Sequence, residues 1–191
     1  MKALILDGSL PGDDATEVAG EVLTQELEGA GWQVDRIVLR DVEMAGCRGC
    51  FGCWDRTPGL CVIDDDGRQV PARAIQSDLL VYLTPVTFGG YSSQLKKGLD
   101  RIICIVHPFF MKVEGEFHHQ PRYDRYPRLL GVGVLPGPDH DSEEIFETLV
   151  KRNAINLLSP ARAAGVVYRD QSTDAVRQRI AALLAEVEVS P

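Results

Sequence analysis

A chain of 191 residues is long enough for one domain with a full-sized core, and its 45% hydrophobic and 25% charged residues argue against disorder. A net charge of −8 leaves no basic face for a phosphate backbone, which sets nucleic acid aside as a partner. No apolar run reaches the roughly 18 residues of a membrane span, and the apolar stretch at the N-terminus is too short for a secretory leader, so a cytoplasmic protein without membrane association is expected.

Apolar runs alternate with helix-period segments along the chain. Lys2 to Leu6 reads as a buried strand closed by Gly8 and Ser9. Val18, Val22, Leu23 and Leu27 keep helical spacing from Glu17 to Glu28, and Gly29 and Gly31 end that helix. Val34 to Leu39 alternates as a second strand, a cysteine-bearing loop follows, and Val70 to Ser77 is a short helix. Leu79 to Leu83 is a third strand, running into Thr84 and Pro85 and followed by a helix from Ser92 to Ile105. Leu129 to Leu135 is a fourth strand. Asp141, with Glu144 three residues on, resembles a capping box opening a helix through about Leu157. Ala164 to Tyr168 is a fifth strand, and Val176, Ile180, Leu183, Leu184 and Val187 form the apolar stripe of a last helix.

Five strands alternating with helices predict an α/β fold: a doubly wound, flavodoxin-like, five-stranded parallel sheet of order 2-1-3-4-5 with helices on both faces, occupying residues 1–191 as one domain. Ligands bind such sheets outside the carboxyl ends of the strands, at the topological switch point. Here those positions are the loops after strands one, three and four. The first, Gly8 to Thr16, follows a strand and enters a helix, so its backbone N–H groups and the hydroxyls of Ser9 and Thr16 suit a phosphate. The alternative is an ordinary turn capped by Asp13 or Asp14. The loop from Thr84 to Ser92 carries a proline, two glycines and two aromatic residues, which suit a flat ring approached closely by backbone. A plain tight connection is equally compatible with it.

Four of the five cysteines fall in the segment 42–66 as Cys47-x2-Cys50-x2-Cys53-x7-Cys61. Two C-x2-C steps sharing a cysteine are a pattern that four-iron clusters use; bare thiols and zinc are the alternatives. Gly46, Gly49, Gly52 and Gly59 beside the cysteines permit the positive φ that tight turns around one centre require. Cys104 reads as a buried core thiol.

On Asp7-Gly8-Ser9, Thr84-Pro85-Val86 with Phe88-Gly89, and Ser92-Ser93-Gln94-Leu95-Lys96 leading to Leu99-Asp100-Arg101, the chain resembles the NADPH-dependent FMN reductase family. Within that family it is most similar to the iron–sulfur flavoprotein branch. The resemblance implies FMN as cofactor and NAD(P)H as reductant. Ser9 and Thr16 would hold the FMN phosphate, and the loop from Thr84 would line the ring, through Pro85, Val86, Thr87, Phe88 and Gly89. Cys47, Cys50, Cys53 and Cys61 match the motif that this branch uses for a 4Fe-4S cluster. The family's arginine in the first loop is missing here, where Leu10 and Pro11 follow the serine and Asp14 and Ala15 precede the threonine.

The segment 107–127 is longer than an ordinary connection and carries Phe109, Phe110, Phe117, Tyr123 and Tyr126. Read as a long loop, it is a lid over the flavin or a subunit contact, in keeping with the homodimers and homotetramers that the resemblance implies. His118 and His119 are adjacent rather than one turn apart, so no shared metal is expected of them. The leading function is a flavin oxidoreductase passing electrons to a small-molecule or protein acceptor, with no side chain named as an acid or base. A flavin-free, flavodoxin-like scaffold is the alternative, favoured by the altered first loop.

Overall fold

A computed structural model of the chain describes residues 1–189. Chain order is β1 (Lys2–Asp7), α1 (Asp14–Gly29), β2 (Gln33–Val38), a 3-10 turn at Leu39–Asp41, α2 (Gly52–Asp55), a 3-10 turn at Asp66–Arg68 and α3 (Gln69–Gln76). Next come β3 (Leu79–Pro85), α4 (Ser93–Ile102), a 3-10 turn at Ile103–Ile105, β4 (Val106–Val113) and β5 (Glu116–Pro121). The chain then runs through β6 (Arg128–Leu135), α5 (His140–Asn156), β7 (Arg162–Tyr168) and α6 (Thr173–Val189).

The main sheet has the order β2-β1-β3-β6-β7 with every neighbouring pair parallel, which is the expected 2-1-3-4-5 arrangement. Alternate residues of its strands feed two cores, as the two-residue period of a strand dictates. On one face Ile5, Val81, Leu83 and Val132 pack against Leu23 and Leu27 of α1 and Ile180 and Leu183 of α6. On the other, Leu4, Leu6, Leu80, Tyr82 and Leu129 meet Val70 of α3, Leu95 and Ile102 of α4, and Phe146 and Val150 of α5. On that second face β6 carries glycine because α5 sits close: a Cβ on Gly131 would stand 2.5 Å from Val150 Cγ2.

Three expectations need correction. Val18 is exposed, and the buried stripe of α1 runs through Ala19, Val22, Leu23 and Leu27. The cap of α5 is Asp139 rather than Asp141: its carboxylate accepts from the backbone N–H and hydroxyl of Ser142, and Glu143 reaches back to the Asp139 N–H. The segment 107–127 is not a loop, since most of it lies in the antiparallel hairpin β4–β5. A two-residue turn closes that hairpin, Glu114-Gly115, with both residues at positive φ as a type I′ turn requires. Pro108 lies where the register shifts between Val106 and Phe110, which interrupts the alternation that would have marked a strand.

Candidate functional site

β1 delivers the first loop through a buried carboxylate. Asp7 is fully buried, accepts from Arg36 Nη2 at 2.6 Å and Nε at 2.9 Å, and accepts from the Ser9 backbone N–H at 2.8 Å. The charge pair fixes where the chain turns out of the sheet. Asp13 then caps α1, accepting from the Thr16 backbone N–H at 3.3 Å and from the Thr16 hydroxyl at 2.6 Å. Thr16 is therefore buried with its proton committed to the cap. Ser9 is also buried, and its hydroxyl accepts from Nη1 of Arg40.

Arg40 was not among the residues singled out from the sequence. It stands just past β2, the strand beside β1, and reaches across to Ser9, to the Leu10 carbonyl at 3.5 Å, and to Glu17 at 2.5 Å. Its hydrogen bond with Glu17 holds the guanidinium above its ordinary pKa. The signal available in the sequence was positional: a cation at the carboxyl end of the strand next to the switch point.

The loop after β3 is locked to the first loop. Ser92 caps α4 by accepting from the Leu95 N–H at 3.2 Å and donates its own hydroxyl to the Gly8 carbonyl at 2.5 Å. Gly8 has to be glycine, because a Cβ there would lie 2.6 Å from that of Leu95. Thr84 is buried, and its hydroxyl accepts from the Ser92 N–H at 2.9 Å. Pro85 is half-buried and Val86 buried, while Thr87 and Gly90 exchange two backbone hydrogen bonds of 2.9 Å. Phe88 and Gly89 between them both adopt positive φ, 53° and 74°, another type I′ turn. It presents Phe88, a bulky residue in a strained backbone region, with its ring wholly exposed.

The cysteine loop is tied down at both ends by one side chain. Arg101 of α4 is 1% exposed and makes a two-pronged pair with Asp65, Nη2 to Oδ1 at 2.7 Å and Nη1 to Oδ2 at 2.9 Å. Nη1 also donates to the Ala45 carbonyl at 2.8 Å, just before the first cysteine, and Nη2 to the Ile63 carbonyl at 3.4 Å, just after the last. Asp65 accepts further from the Ala45 and Gly67 N–H groups, and the Arg101 hydrogen bond draws its pKa down to about 2. Trp54 Nε1 donates to the Val106 carbonyl at 2.9 Å, joining the loop to the base of the hairpin.

Gly49, Phe51 and Gly59 take positive φ in this loop. Gly46 and Gly52 do not, so the expected left-handed turns fall on two of the four glycines. Gly52 instead admits Val62, whose Cγ1 would sit 2.5 Å from a Cβ there.

Cys47, Cys50, Cys53 and Cys61 are free and line a single cavity of about 560 Å³, within the size range of ligand pockets. Arg101, His119 of β5 and Asn153 of α5 line it too, whereas Ser9, Thr16 and residues 84–89 do not. Burial pushes the Cys53 thiol up, and Cys61, Cys47 and Cys50 push it the same way. Among the described residues no group of three or more His, Cys, Asp or Glu side chains is gathered tightly enough to hold a metal ion as it stands. The donor set and the shared cavity nevertheless fit a thiolate-held group. Two buried nitrogens without a hydrogen-bond partner, Arg101 Nε and His119 Nδ1, belong to residues lining the same cavity. Cys104 lies apart in the 3-10 turn after α4, fully buried, its thiol pushed up to about 12 by burial.

A profile of the family described as NADPH-dependent FMN reductase matches residues 1–122. The chain is 30% identical over 106 residues to an iron-sulfur flavoprotein of Methanosarcina thermophila, covering 55% of this chain and 54% of that one. It is 33% identical over 101 residues to an iron-sulfur flavoprotein of Archaeoglobus fulgidus, covering 53% and 48%. The chain thus spans about half the length of the curated relatives it matches. Among solved structures, the FMN-dependent NADH-azoreductase of Bacillus anthracis in complex with FMN superposes with a TM-score of 0.61 at 13% identity, covering 100% of this chain and 99% of that one. That likeness establishes the shared fold. No helix among the described residues is long and apolar enough to cross a membrane.

The Arg101–Asp65 pair makes stability depend on acid. Because the folded-state pKa of Asp65 lies below its ordinary value, its contribution is complete above about pH 4 and is lost as pH falls toward 2. Urea midpoints measured across that window should fall more steeply for the parent than for Asp65→Asn. Equal slopes would show that the pair contributes nothing to acid stability.

Proposed function

The chain belongs to the NADPH-dependent FMN reductase family, and from that membership we propose that it is an FMN-dependent oxidoreductase taking electrons from NAD(P)H and passing them to a small-molecule or protein acceptor. When bound, FMN supplies the chemistry, accepting hydride and releasing electrons singly or in pairs. The observation that carries this reading is Arg40 at Ser9. The ground for a flavin-free scaffold was the arginine missing from the first loop, and Arg40 brings a guanidinium to the same loop from the end of β2.

In this reading Ser9 and Arg40 bind the phosphate at the start of α1, where the helix dipole also favours an anion. Arg40 offsets the charge of Glu17, with which it is paired. Thr16 acts through the cap, holding the first turn of α1 in place for the backbone to meet the phosphate. Pro85, Val86, Thr87 and Gly89 provide the wall for the ring, with Thr84 fixing that wall to α4 and Phe88 at its exposed tip. No side chain has to exchange a proton with the substrate. Cytoplasmic free thiols suit the same reading, since a reducing compartment keeps them available.

The cysteines are the second redox site: we assign Cys47, Cys50, Cys53 and Cys61 as ligands of a 4Fe-4S cluster, which would exchange single electrons. Support comes from the C-x2-C-x2-C-x7-C spacing, the cavity that all four share, and the likeness to the iron-sulfur flavoproteins of Methanosarcina thermophila and Archaeoglobus fulgidus. The exposed rings of Phe88, Phe109, Phe110 and Phe117 support a homodimer or homotetramer, because monomers seldom present so much aromatic surface to water.

Three measurements test these assignments. Ser9→Ala with Arg40→Gln should weaken FMN about 10- to 100-fold, as loss of charge-assisted hydrogen bonds of about 1.5–3 kcal/mol implies, and leave riboflavin nearly unaffected. Equal weakening of both flavins would move the phosphate elsewhere, and a parent that ignores FMN would end the flavin reading. Anaerobic reconstitution with iron and sulfide should give about four irons per chain, with clear loss in Cys53→Ser. Less than one iron in the parent would contradict the cluster. Light scattering at micromolar concentration should give at least a dimer mass, and a monomer mass would contradict the assembly.

A further inference from the structure

Burying an N–H without an acceptor costs about 1–3 kcal/mol, so such groups are uncommon and gather where something is bound. Arg101 is the clearer case. Four of its five N–H groups have acceptors within reach in Asp65, Ala45 and Ile63, its side chain is 1% exposed, and Nε has no partner. The Cys61 sulfur is near enough to act on the guanidinium, after Asp65 and in the same direction.

His119 stands on a different element and shows the same defect. Its ring lies between Phe110, stacked at 4.8 Å, and Trp54, tilted at 4.9 Å, and its Nδ1 is buried without a partner. Two aromatic neighbours hold the imidazole plane in one orientation, so Nδ1 is not free to swing toward solvent. Its neighbour His118 is by contrast satisfied, with Nδ1 at Asn156 Oδ1 and Nε2 at Glu116. Both unpartnered nitrogens therefore sit on residues of the one cavity that the four cysteines line. A group that satisfies both has to accept from the guanidinium and, with the imidazole proton on Nδ1, from His119, in the cavity that the four cysteines line, and inorganic and cysteinyl sulfur do so.

We propose that Arg101 and His119 donate N–H···S hydrogen bonds to the cluster held by Cys47, Cys50, Cys53 and Cys61, and thereby raise its reduction potential. The inference rests on the cluster reading and adds to it two positioning residues that are not ligands. Reduction adds one electron to a centre already negative, so a donor aimed at its sulfurs stabilises the reduced form more than the oxidised one. The fixed positive charge of Arg101 acts in the same direction. Arg101 also holds both ends of the loop, so it links the position of the ligands to the potential of what they bind.

The test uses reconstituted full-length protein, with EPR-monitored redox titration as the readout. His119→Phe keeps a ring between Phe110 and Trp54 and removes the N–H. It should retain about four irons and show a reduction equilibrium shifted about tenfold toward the oxidised cluster, which is about 59 mV for a one-electron couple. Arg101→Lys, which keeps the charge without an Nε, is the second variant and should shift the same way. Unchanged potentials in iron-loaded variants would overturn the inference and leave the cluster standing. A parent that takes up no iron would overturn both, and the iron count separates the two failures.

Discussion

The Arg101–Asp65 pair is the constraint on which the rest of the site depends. The 21 residues from Ala45 to Asp65 have almost no secondary structure of their own, only the four residues of α2, and so cannot hold four cysteines in position by backbone pairing. One guanidinium does so by taking the carbonyls on either side of the cysteines together with the carboxylate that follows them. Removing one partner of a buried pair leaves the other charge uncompensated and costs about 3–5 kcal/mol, so the loop has no cheap way of letting go. That cost makes Arg101 both an anchor and, through its spare Nε, a group able to act on what the loop binds.

α4 is the strut that relates the two sites. Its N-terminal cap, Ser92, grips the first loop through the Gly8 carbonyl, and its C-terminal turn carries Arg101 to the cysteine loop. Ten helical residues span about 15 Å, so the first loop and the cysteine loop are set apart by a rigid rod rather than by a flexible connection. The buried core under α4, including Leu95, Ile102 and Tyr82, stabilises both ends at once. In the proposed reading, the thiol-rich loop docked on this helix places the second redox site beside the flavin fold.

The parallel sheet was legible because fully buried strands are short apolar runs and the helices between them keep a strict period, as Leu79–Leu83 and Val176–Val187 do. The first loop was legible as a strand-to-helix connection at the switch point, and the four cysteines as a group, from local spacing alone. What escaped was contact across sequence distance. Arg40 meets Ser9 from 31 residues away and Arg101 meets Asp65 from 36, and neither separation leaves a local pattern. The hairpin escaped for another reason: Pro108 and the exposed aromatic residues hide its alternation, although Glu114-Gly115 between two such runs was a readable turn. His119 stood out only for its neighbour, His118, while its relevance comes from what surrounds it in space.

Diffraction at the iron absorption edge, from crystals of anaerobically reconstituted protein soaked with FMN, tests most directly that one chain carries both redox centres where its loops provide for them. The account predicts an anomalous iron peak bonded to the sulfurs of Cys47, Cys50, Cys53 and Cys61, and a flavin phosphate against Ser9 and Arg40. Iron absent from that cavity, or a flavin whose phosphate lies away from Ser9, would contradict it.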